Sequence, residues 1–229
     1  DGHRIAFNEA FKKFDLNWNW SREKYIELLD IPGGINRIKH YALLYNLDIS
    51  ENTIKQIHLY KTEAYMSLVN KGLLKLRPGV ARLVEQLYVN NIKQYIVTTS
   101  SKKSVIALIS KVFKEYKNPF IDIISSSDVL NQKPHPEPYI NAINLAEVEA
   151  KEIIVIEDSV AGLTSATLAS LNCLITLTDW NNSNINDFSN ATSIVSSLGD
   201  VSSPCRLIMG KPLPSAFVDI NYLNSLLKF

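Results

Sequence analysis

The chain has 229 residues, of which 46% are hydrophobic, so it can form one large globular domain or two small ones. Its 24 Lys and Arg residues nearly balance 23 Asp and Glu residues, and this balance argues against nucleic acid or an anionic membrane as a partner. No apolar run reaches the length of about 18 residues that a membrane-spanning helix needs.

The two cysteines, Cys173 and Cys205, lie far apart and form no CxxC pair. A disulfide scaffold and a cysteine-based zinc site are therefore poorly supported, and a reducing compartment is expected. We expect this compartment to be the cytoplasm, or the plastid stroma if the protein comes from an alga.

Residues 1–75 are predicted to form helices. Apolar side chains recur at three- and four-residue steps from Ala6 to Phe14, which is the pattern of an amphipathic helix. Gly33 and Gly34 break the helical pattern, and Gly72 ends it. The predicted helices cover residues 6–14, 22–29, 36–45 and 50–70.

From Leu76 onward, predicted strands and helices alternate. Alternation at this spacing indicates a parallel sheet with helices on both faces and ligands at the carboxyl ends of the strands. We predict a loop at 181–184, and the part of the chain after it has no clear pattern. The predicted strands are 94–99, 121–125, 152–156 and 173–177, and the predicted helices are 103–113, 136–145 and 159–169.

Hydroxyl side chains follow the first predicted strand at Thr98-Thr99-Ser100-Ser101. Hydroxyls and backbone N–H groups at a turn from strand to helix can bind phosphate. The same residues could instead cap the following helix through Ser100 or Ser101. The pattern alone leaves both interpretations open.

Charged residues follow two further strands. Lys133 lies in the turn Gln132-Lys133-Pro134-His135-Pro136, where two prolines restrict the backbone and an ammonium group could meet a phosphoryl group. Glu157 and Asp158 end an apolar strand, where paired carboxylates favour Mg²⁺. A solvated lysine and an Asp helix cap are the alternatives. Together, hydroxyls, lysine and carboxylates at one sheet edge favour phosphoryl transfer.

These motifs, in this order, resemble the haloacid dehalogenase superfamily of phosphatases. Thr99 matches its second motif, Lys133 in KPHPEPY its third, and Glu157-Asp158 in IVIEDSVAGL its fourth. The helical first third is similar to the family's small helical cap, and residues 76–229 are similar to its Rossmann-like α/β core. Ala6-Phe7-Asn8, the pair Trp18 and Trp20, and Gly33 to Arg37 are most similar to the CbbY-type enzymes.

The resemblance implies a role for each matched residue. Thr99, with the backbone of Ser100, would bind the phosphoryl group, and Lys133 would offset its charge. Asp158, with Glu157, would bind Mg²⁺. In the cap, Arg37 would bind the distal phosphate of the substrate. Gly33 and Gly34, which have no side chains, would let the backbone approach this phosphate closely. Arg77 and His3 would face the substrate, and Ile35 stands where the family usually has a lysine.

The family's first motif, DxDGT, is absent from the sequence. It supplies the aspartate that forms an aspartyl-phosphate and a second aspartate that acts as acid and base. Because the chain lacks an initial Met and a helical pattern is already under way, we expect this motif to precede Asp1, and the chain as printed to be inactive.

The activity implied is Mg²⁺-dependent dephosphorylation of a small sugar phosphate by a monomer. CbbY-type enzymes act on xylulose-1,5-bisphosphate, an inhibitor of Rubisco in the Calvin cycle. A β-phosphoglucomutase or a phosphoglycolate phosphatase of the same scaffold is an alternative, although Ser67 aligns with a lysine of the mutase. A non-catalytic phosphate-binding protein is a further alternative. Dehalogenation fits poorly, because the lysine and the basic cap residues suit phosphate better than a haloacid.

Overall fold

The structure is a computed structural model that describes residues 2–31, 33–113, 118–180 and 185–227. The loop predicted at 181–184 lies outside these ranges. The chain divides into two compact units, Asp1–Lys75 and Leu76–Phe229. Within the described ranges, every helix is too short or too polar to cross a membrane.

The first unit is helical, as predicted. Hydroxyl side chains start two of its helices, because Ser21 Oγ accepts from Lys24 N and Ser50 Oγ accepts from Thr53 N. Gly33, with φ of 82°, precedes a third helix in a conformation that favours glycine. The helices are α1 (Gly2–Lys13), α2 (Arg22–Leu28), α3 (Gly34–Leu44) and α4 (Glu51–Asn70).

Aromatic residues form much of the core of this unit. The predicted stripe on α1 is confirmed, because Ala6, Phe7, Ala10 and Phe11 are all fully buried. Trp20 is also fully buried, and its ring centre lies 4.6 Å from that of Phe7 and 4.7 Å from that of Phe11. These contacts hold the segment between α1 and α2 against α1.

The second unit alternates strands and helices. The described part of this unit also contains two short 3₁₀ helices, Ala150–Glu152 and Ile185–Phe188. The elements are α5 (Val80–Val89), β1 (Tyr95–Val97), α6 (Lys102–Val112), β2 (Asp122–Ile124), α7 (Glu137–Ala146), β3 (Ile154–Glu157), α8 (Val160–Leu168), β4 (Asn172–Thr176), β5 (Ser193–Val195), β6 (Leu207–Met209) and α9 (Ile220–Leu226).

The strands form two ladders among the described residues. Strands β1 and β2 pair in parallel, and the other ladder has the order β3-β4-β5-β6. The predicted parallel pairing is confirmed for β1 with β2, for β3 with β4 and for β4 with β5, whereas β6, which was not predicted, runs antiparallel to β5. A short connection allows an antiparallel pair, whereas a parallel pair requires a crossover.

Helices cover both faces of the larger ladder, as predicted. Successive residues of β4 point to opposite faces, and all five are buried. Leu174 packs in one cluster with Leu83 of α5 and Tyr222 of α9. Its neighbour Ile175 packs in another cluster with Leu163 of α8. The α/β fold class is therefore confirmed.

Several elements of the second unit were not predicted. Helix α5 follows Pro78 and Gly79, a pair that indicates a turn rather than a helix start. Strands β5 and β6 have three residues each, too few for a clear alternation of polar and apolar residues. Asp219 caps the start of helix α9, because its Oδ1 accepts from Tyr222 N at 2.8 Å.

Candidate active site

Lys133 lies at the centre of the candidate site. Its side chain is almost fully buried, and Nζ donates to Val97 O of β1 at 2.9 Å and to Tyr139 Oη at 3.2 Å. Nζ also forms an ion pair with Glu157 at the end of β3. Lys133 therefore links the carboxyl ends of two strands that belong to different ladders.

The carboxylate of Glu157 accepts hydrogen bonds at both oxygens. Oε1 accepts from Lys133 Nζ and, at 2.7 Å, from Tyr139 Oη. Oε2 accepts from Asp158 N at 3.1 Å and from Ser159 Oγ at 3.3 Å. This arrangement directs the Glu157 carboxylate toward Lys133. The resemblance described above implies instead that Glu157 lies beside Mg²⁺ with Asp158.

Asp158 is the carboxylate that fits a metal role better. It retains some surface exposure, yet desolvation and the charge of Glu157 raise the pKa of Asp158, while Arg77 and Lys133 act in the opposite direction. Among the described residues, no three His, Cys, Asp or Glu side chains form a metal-binding group. Mg²⁺ commonly uses one or two carboxylates with water and substrate phosphate, so Asp158 fits such a site.

The segment after β1 exposes hydroxyl groups. Ser101, rather than Ser100, caps α6, because its Oγ accepts from Ser104 N. Ser100 N donates to Thr98 Oγ1 at 3.1 Å, which shapes the turn. Thr99 is exposed directly after the strand whose last carbonyl accepts from Lys133. Thr99 and Ser100 thus lie at the strand end that Lys133 contacts.

Arg77 is anchored to the carboxyl ends of β4 and β5. Its Nη1 donates to Thr176 Oγ1 at 3.2 Å, and Nη2 donates to Leu177 O and, at 3.4 Å, to Ser196 O. Its charge partly opposes the rise in the pKa of Asp158 that burial and Glu157 cause. Arg77 therefore contributes positive charge near Asp158, and its donors hold the sheet edge.

The remaining predicted residues lie in the helical unit. Arg37 is half-buried, and its guanidinium donates to Leu28 O at 2.7 Å and to Ile31 O at 3.0 Å. Gly33 precedes α3 and Gly34 begins it, four and three residues before Arg37. Arg37 therefore ties α2 to α3 in addition to any role with a ligand.

His3 stacks on another ring of the helical unit. Its ring centre lies 4.0 Å from that of Tyr65, and burial lowers the pKa of His3 to about 3, helped by Lys61 and Arg37. Its Nδ1 is buried and makes no hydrogen bond within the described part of the chain. His3 is therefore a neutral ring with an unsatisfied polar atom.

Comparison with protein families decides the class. Residues 3–176 match the model of the haloacid dehalogenase-like hydrolases. The chain belongs to this family. The sequence resemblance and the fold prediction are therefore confirmed.

Named members of the haloacid dehalogenase-like family are similar over most of the chain. A CBBY-like protein of Arabidopsis thaliana is 36% identical over 87% of this chain, which spans 65% of that protein. Protein CbbY of Cereibacter sphaeroides is 35% identical over 76% of both chains.

Solved structures agree with this relationship. A CbbY variant from Rhodobacter sphaeroides, solved in complex with xylulose-1,5-bisphosphate, has a TM-score of 0.78 and 31% identity. The match covers 88% of this chain and 90% of that one. A β-phosphoglucomutase of Clostridium difficile, at 21% identity and a TM-score of 0.67, shares the fold.

Three residues of this haloacid dehalogenase-like site were not predicted. Tyr139 joins Lys133 and Glu157, and its position at the end of the quoted KPHPEPY segment was the available signal. Ser165 Oγ donates to His135 O at 2.6 Å and holds the lysine turn against α8. A side chain at Gly162 would overlap the Glu157 carboxylate. Gly162 lies within the quoted IVIEDSVAGL segment, whereas the Ser165 contact is tertiary and no sequence pattern indicates it.

Proposed function

We propose that this haloacid dehalogenase-like hydrolase is a Mg²⁺-dependent phosphatase that acts on a small sugar phosphate through an aspartyl-phosphate. The observation that carries the proposal is the position of Lys133 Nζ, in contact with Val97 O and Glu157 at two strand ends. Thr99, Ser100 and Asp158 flank these same strand ends. The set combines phosphate-binding hydroxyls, a fixed cation and a carboxylate.

Different residues of the second unit would bind the phosphoryl group and stabilise its negative charge. The Thr99 hydroxyl and Ser100 backbone would donate to the phosphoryl oxygens. Lys133 would stabilise negative charge that develops during transfer, and Glu157 and Tyr139 hold its ammonium in position. Because these contacts fix the ammonium group in position, little reorganisation is needed when the substrate binds.

Mg²⁺ would be held by Asp158. When bound, the ion supplies positive charge that neutralises the phosphoryl oxygens. The ion pair between Glu157 and Lys133 leaves Asp158 as the motif carboxylate suited to this role.

The proposed substrate is a sugar bisphosphate such as xylulose-1,5-bisphosphate. CbbY of Rhodobacter sphaeroides, solved with this compound, is 31% identical to this chain. Arg37, Gly33, Gly34 and His3 of the helical unit would bind its second phosphate. With this substrate, the protein would serve the Calvin cycle by removing an inhibitor of Rubisco.

The nucleophile must come from a DxDGT sequence, which the 229 residues do not contain. We expect the 229-residue chain to release phosphate on the order of 10⁴-fold more slowly than a chain extended at its amino end by an apolar strand and DxDGT. The control is the extended chain with Asn in place of the first Asp of that motif. Phosphate release from xylulose-1,5-bisphosphate by each chain measures the contribution of the nucleophile. The same assay with EDTA measures the dependence on Mg²⁺.

The outcomes separate the remaining alternatives. Conversion of β-glucose-1-phosphate by the extended chain would indicate a mutase, and preference for phosphoglycolate would indicate the other phosphatase. Substantial turnover by the 229-residue chain would contradict the proposed nucleophile. An inactive extended chain that still binds phosphate would support a non-catalytic binding protein.

A further inference from the structure

A buried serine of α8 contacts the turn that carries Lys133. Ser165 is fully buried, and its Oγ donates to His135 O at 2.6 Å. His135 N in turn donates to Gln132 O at 3.0 Å, so the carbonyl that Ser165 binds belongs to a hydrogen-bonded turn. Ser165 therefore holds the backbone of the lysine turn rather than the lysine side chain.

The same helix also packs against the ion-pair partner of Lys133. A Cβ at Gly162 would overlap the Glu157 carboxylate, so this carboxylate lies directly against α8. Glu157 and Lys133 form an ion pair in which each side chain is only 9% exposed. Gly162 and Ser165 are three residues apart and therefore lie on one face of α8. This face contacts both the Glu157 carboxylate and the turn from which Lys133 extends.

The ammonium group of Lys133 depends on this backbone contact. Two of its hydrogen bonds reach Val97 O at 2.9 Å and Tyr139 Oη at 3.2 Å, and a third reaches Glu157. These bonds use all three donors of an ammonium group. Because the lysine stem is flexible, they keep Nζ in one position only while the backbone at the other end of the stem stays in place. The hydrogen bond from Ser165 holds that end.

We propose that Ser165 is a positioning residue that places Lys133, through the backbone of its turn, for phosphoryl transfer. Ser165 acts through Lys133, because its buried hydroxyl binds a backbone carbonyl. The effect on turnover rests on the proposed function. The placement of Lys133 is tested separately, because it can be measured in the 229-residue chain without turnover.

A second serine provides a matched control. Ser193 of β5 is also fully buried, and its Oγ donates to Met209 O at 3.0 Å. Ser165→Ala and Ser193→Ala each remove a buried hydroxyl that binds a backbone carbonyl, so each should lower the midpoint of urea unfolding. Strand β4 separates β5 from β3, so only Ser165→Ala should alter the surroundings of Lys133.

Reductive methylation with formaldehyde and cyanoborohydride measures the placement of Lys133. In the folded 229-residue chain, Ser165→Ala should raise the methylation rate of Lys133 about threefold or more, because a released turn weakens the contacts that protect Nζ. Ser193→Ala should leave this rate unchanged. Peptide mass spectrometry measures the rates, with exposed Lys55 as the internal reference. An unchanged rate in Ser165→Ala, or an equal rise in both variants, would overturn the proposal.

Turnover by the extended chain provides a second measurement. Ser165→Ala should lower kcat for xylulose-1,5-bisphosphate about three- to tenfold with KM nearly unchanged, because Lys133 stabilises charge that develops in the transition state. Ser165→Cys keeps a weak donor and should recover part of kcat. An equal loss of kcat in Ser193→Ala, or a change in KM alone, would contradict the proposal. If the extended chain releases no phosphate while methylation of Lys133 responds as expected, the proposed function fails and the placement of Lys133 by Ser165 stands.

Discussion

At the scale of single residues, Tyr139 shows how the last residue of the KPHPEPY segment positions the lysine at its start. Burial and the Glu157 carboxylate raise the pKa of Tyr139, so its hydroxyl stays protonated and donates to Glu157. The same oxygen accepts from Lys133 at 3.2 Å. The three side chains form a closed, buried network, in which removal of one member leaves the others without a partner.

Tyr139→Phe should therefore lower the free energy of unfolding by about 1–2 kcal/mol, since the polar partners stay buried. Urea unfolding measures the change. Tyr88→Phe, on the more exposed tyrosine of α5, is the control and should have almost no effect. Equal effects of the two substitutions would contradict the role assigned to Tyr139.

His3 gives a pH dependence with a definite sign. The folded protein keeps His3 neutral down to about pH 3, whereas the unfolded chain protonates it near pH 6.5. Stability should therefore fall as the pH drops below about 6.5, by up to about 1.4 kcal/mol per pH unit from this group. His3→Phe keeps the ring and removes the proton site, so its stability curve should be flatter between pH 6 and pH 4. Parallel curves from urea unfolding would refute this.

At the scale of elements, helix α8 packs against Glu157 at the end of β3 and against the lysine turn. Gly162 lies in the first turns of α8, and the absence of its side chain leaves space for the Glu157 carboxylate. Ser165, one turn later, donates to the lysine turn at His135 O. One helix thus positions both partners of the Lys133–Glu157 ion pair.

Gly162→Ala should lower the unfolding free energy by about 1 kcal/mol or more, because the methyl group displaces a hydrogen-bonded carboxylate. In an open helix the same change would raise it by about 0.5–1 kcal/mol. Thr164→Ala, at an exposed position of α8, is the control and should be neutral or slightly stabilising. A higher unfolding free energy for the Gly162→Ala protein would contradict this prediction, because it would show that displacing the Glu157 carboxylate does not destabilise the fold.

At the scale of the whole molecule, the proposed function assigns different phosphates to different units. Arg37→Ala, made in the extended chain, should raise KM for xylulose-1,5-bisphosphate about tenfold. It should change KM for p-nitrophenyl phosphate, which has one phosphate, far less. Lys12→Ala, at an exposed position of α1, controls for net charge.

Equal KM changes for the two substrates would contradict the role of Arg37. Because Arg37 also donates to Leu28 O and Ile31 O, the unfolding midpoint of each variant must be measured with its kinetics.

Much of the fold follows from local patterns. Amphipathic spacing predicted the helices α1 and α4, and continuous apolar runs predicted the buried strands β3 and β4. Strands β5 and β6 are shorter, and their position depends on pairing with distant residues. Whether these three-residue segments form strands depends on their pairing within the sheet rather than on their own residues.

The sequence by itself determined the family, because the family's motif residues follow one another at the ends of predicted strands. It also indicated phosphate chemistry, since lysine, hydroxyls and carboxylates recur at those ends. Only the tertiary structure decided that Glu157 pairs with Lys133 and Tyr139, and that the charges of Lys61 and Arg37 lower the pKa of His58. Burial and charge act through space, so residues distant in the chain set the properties of each group.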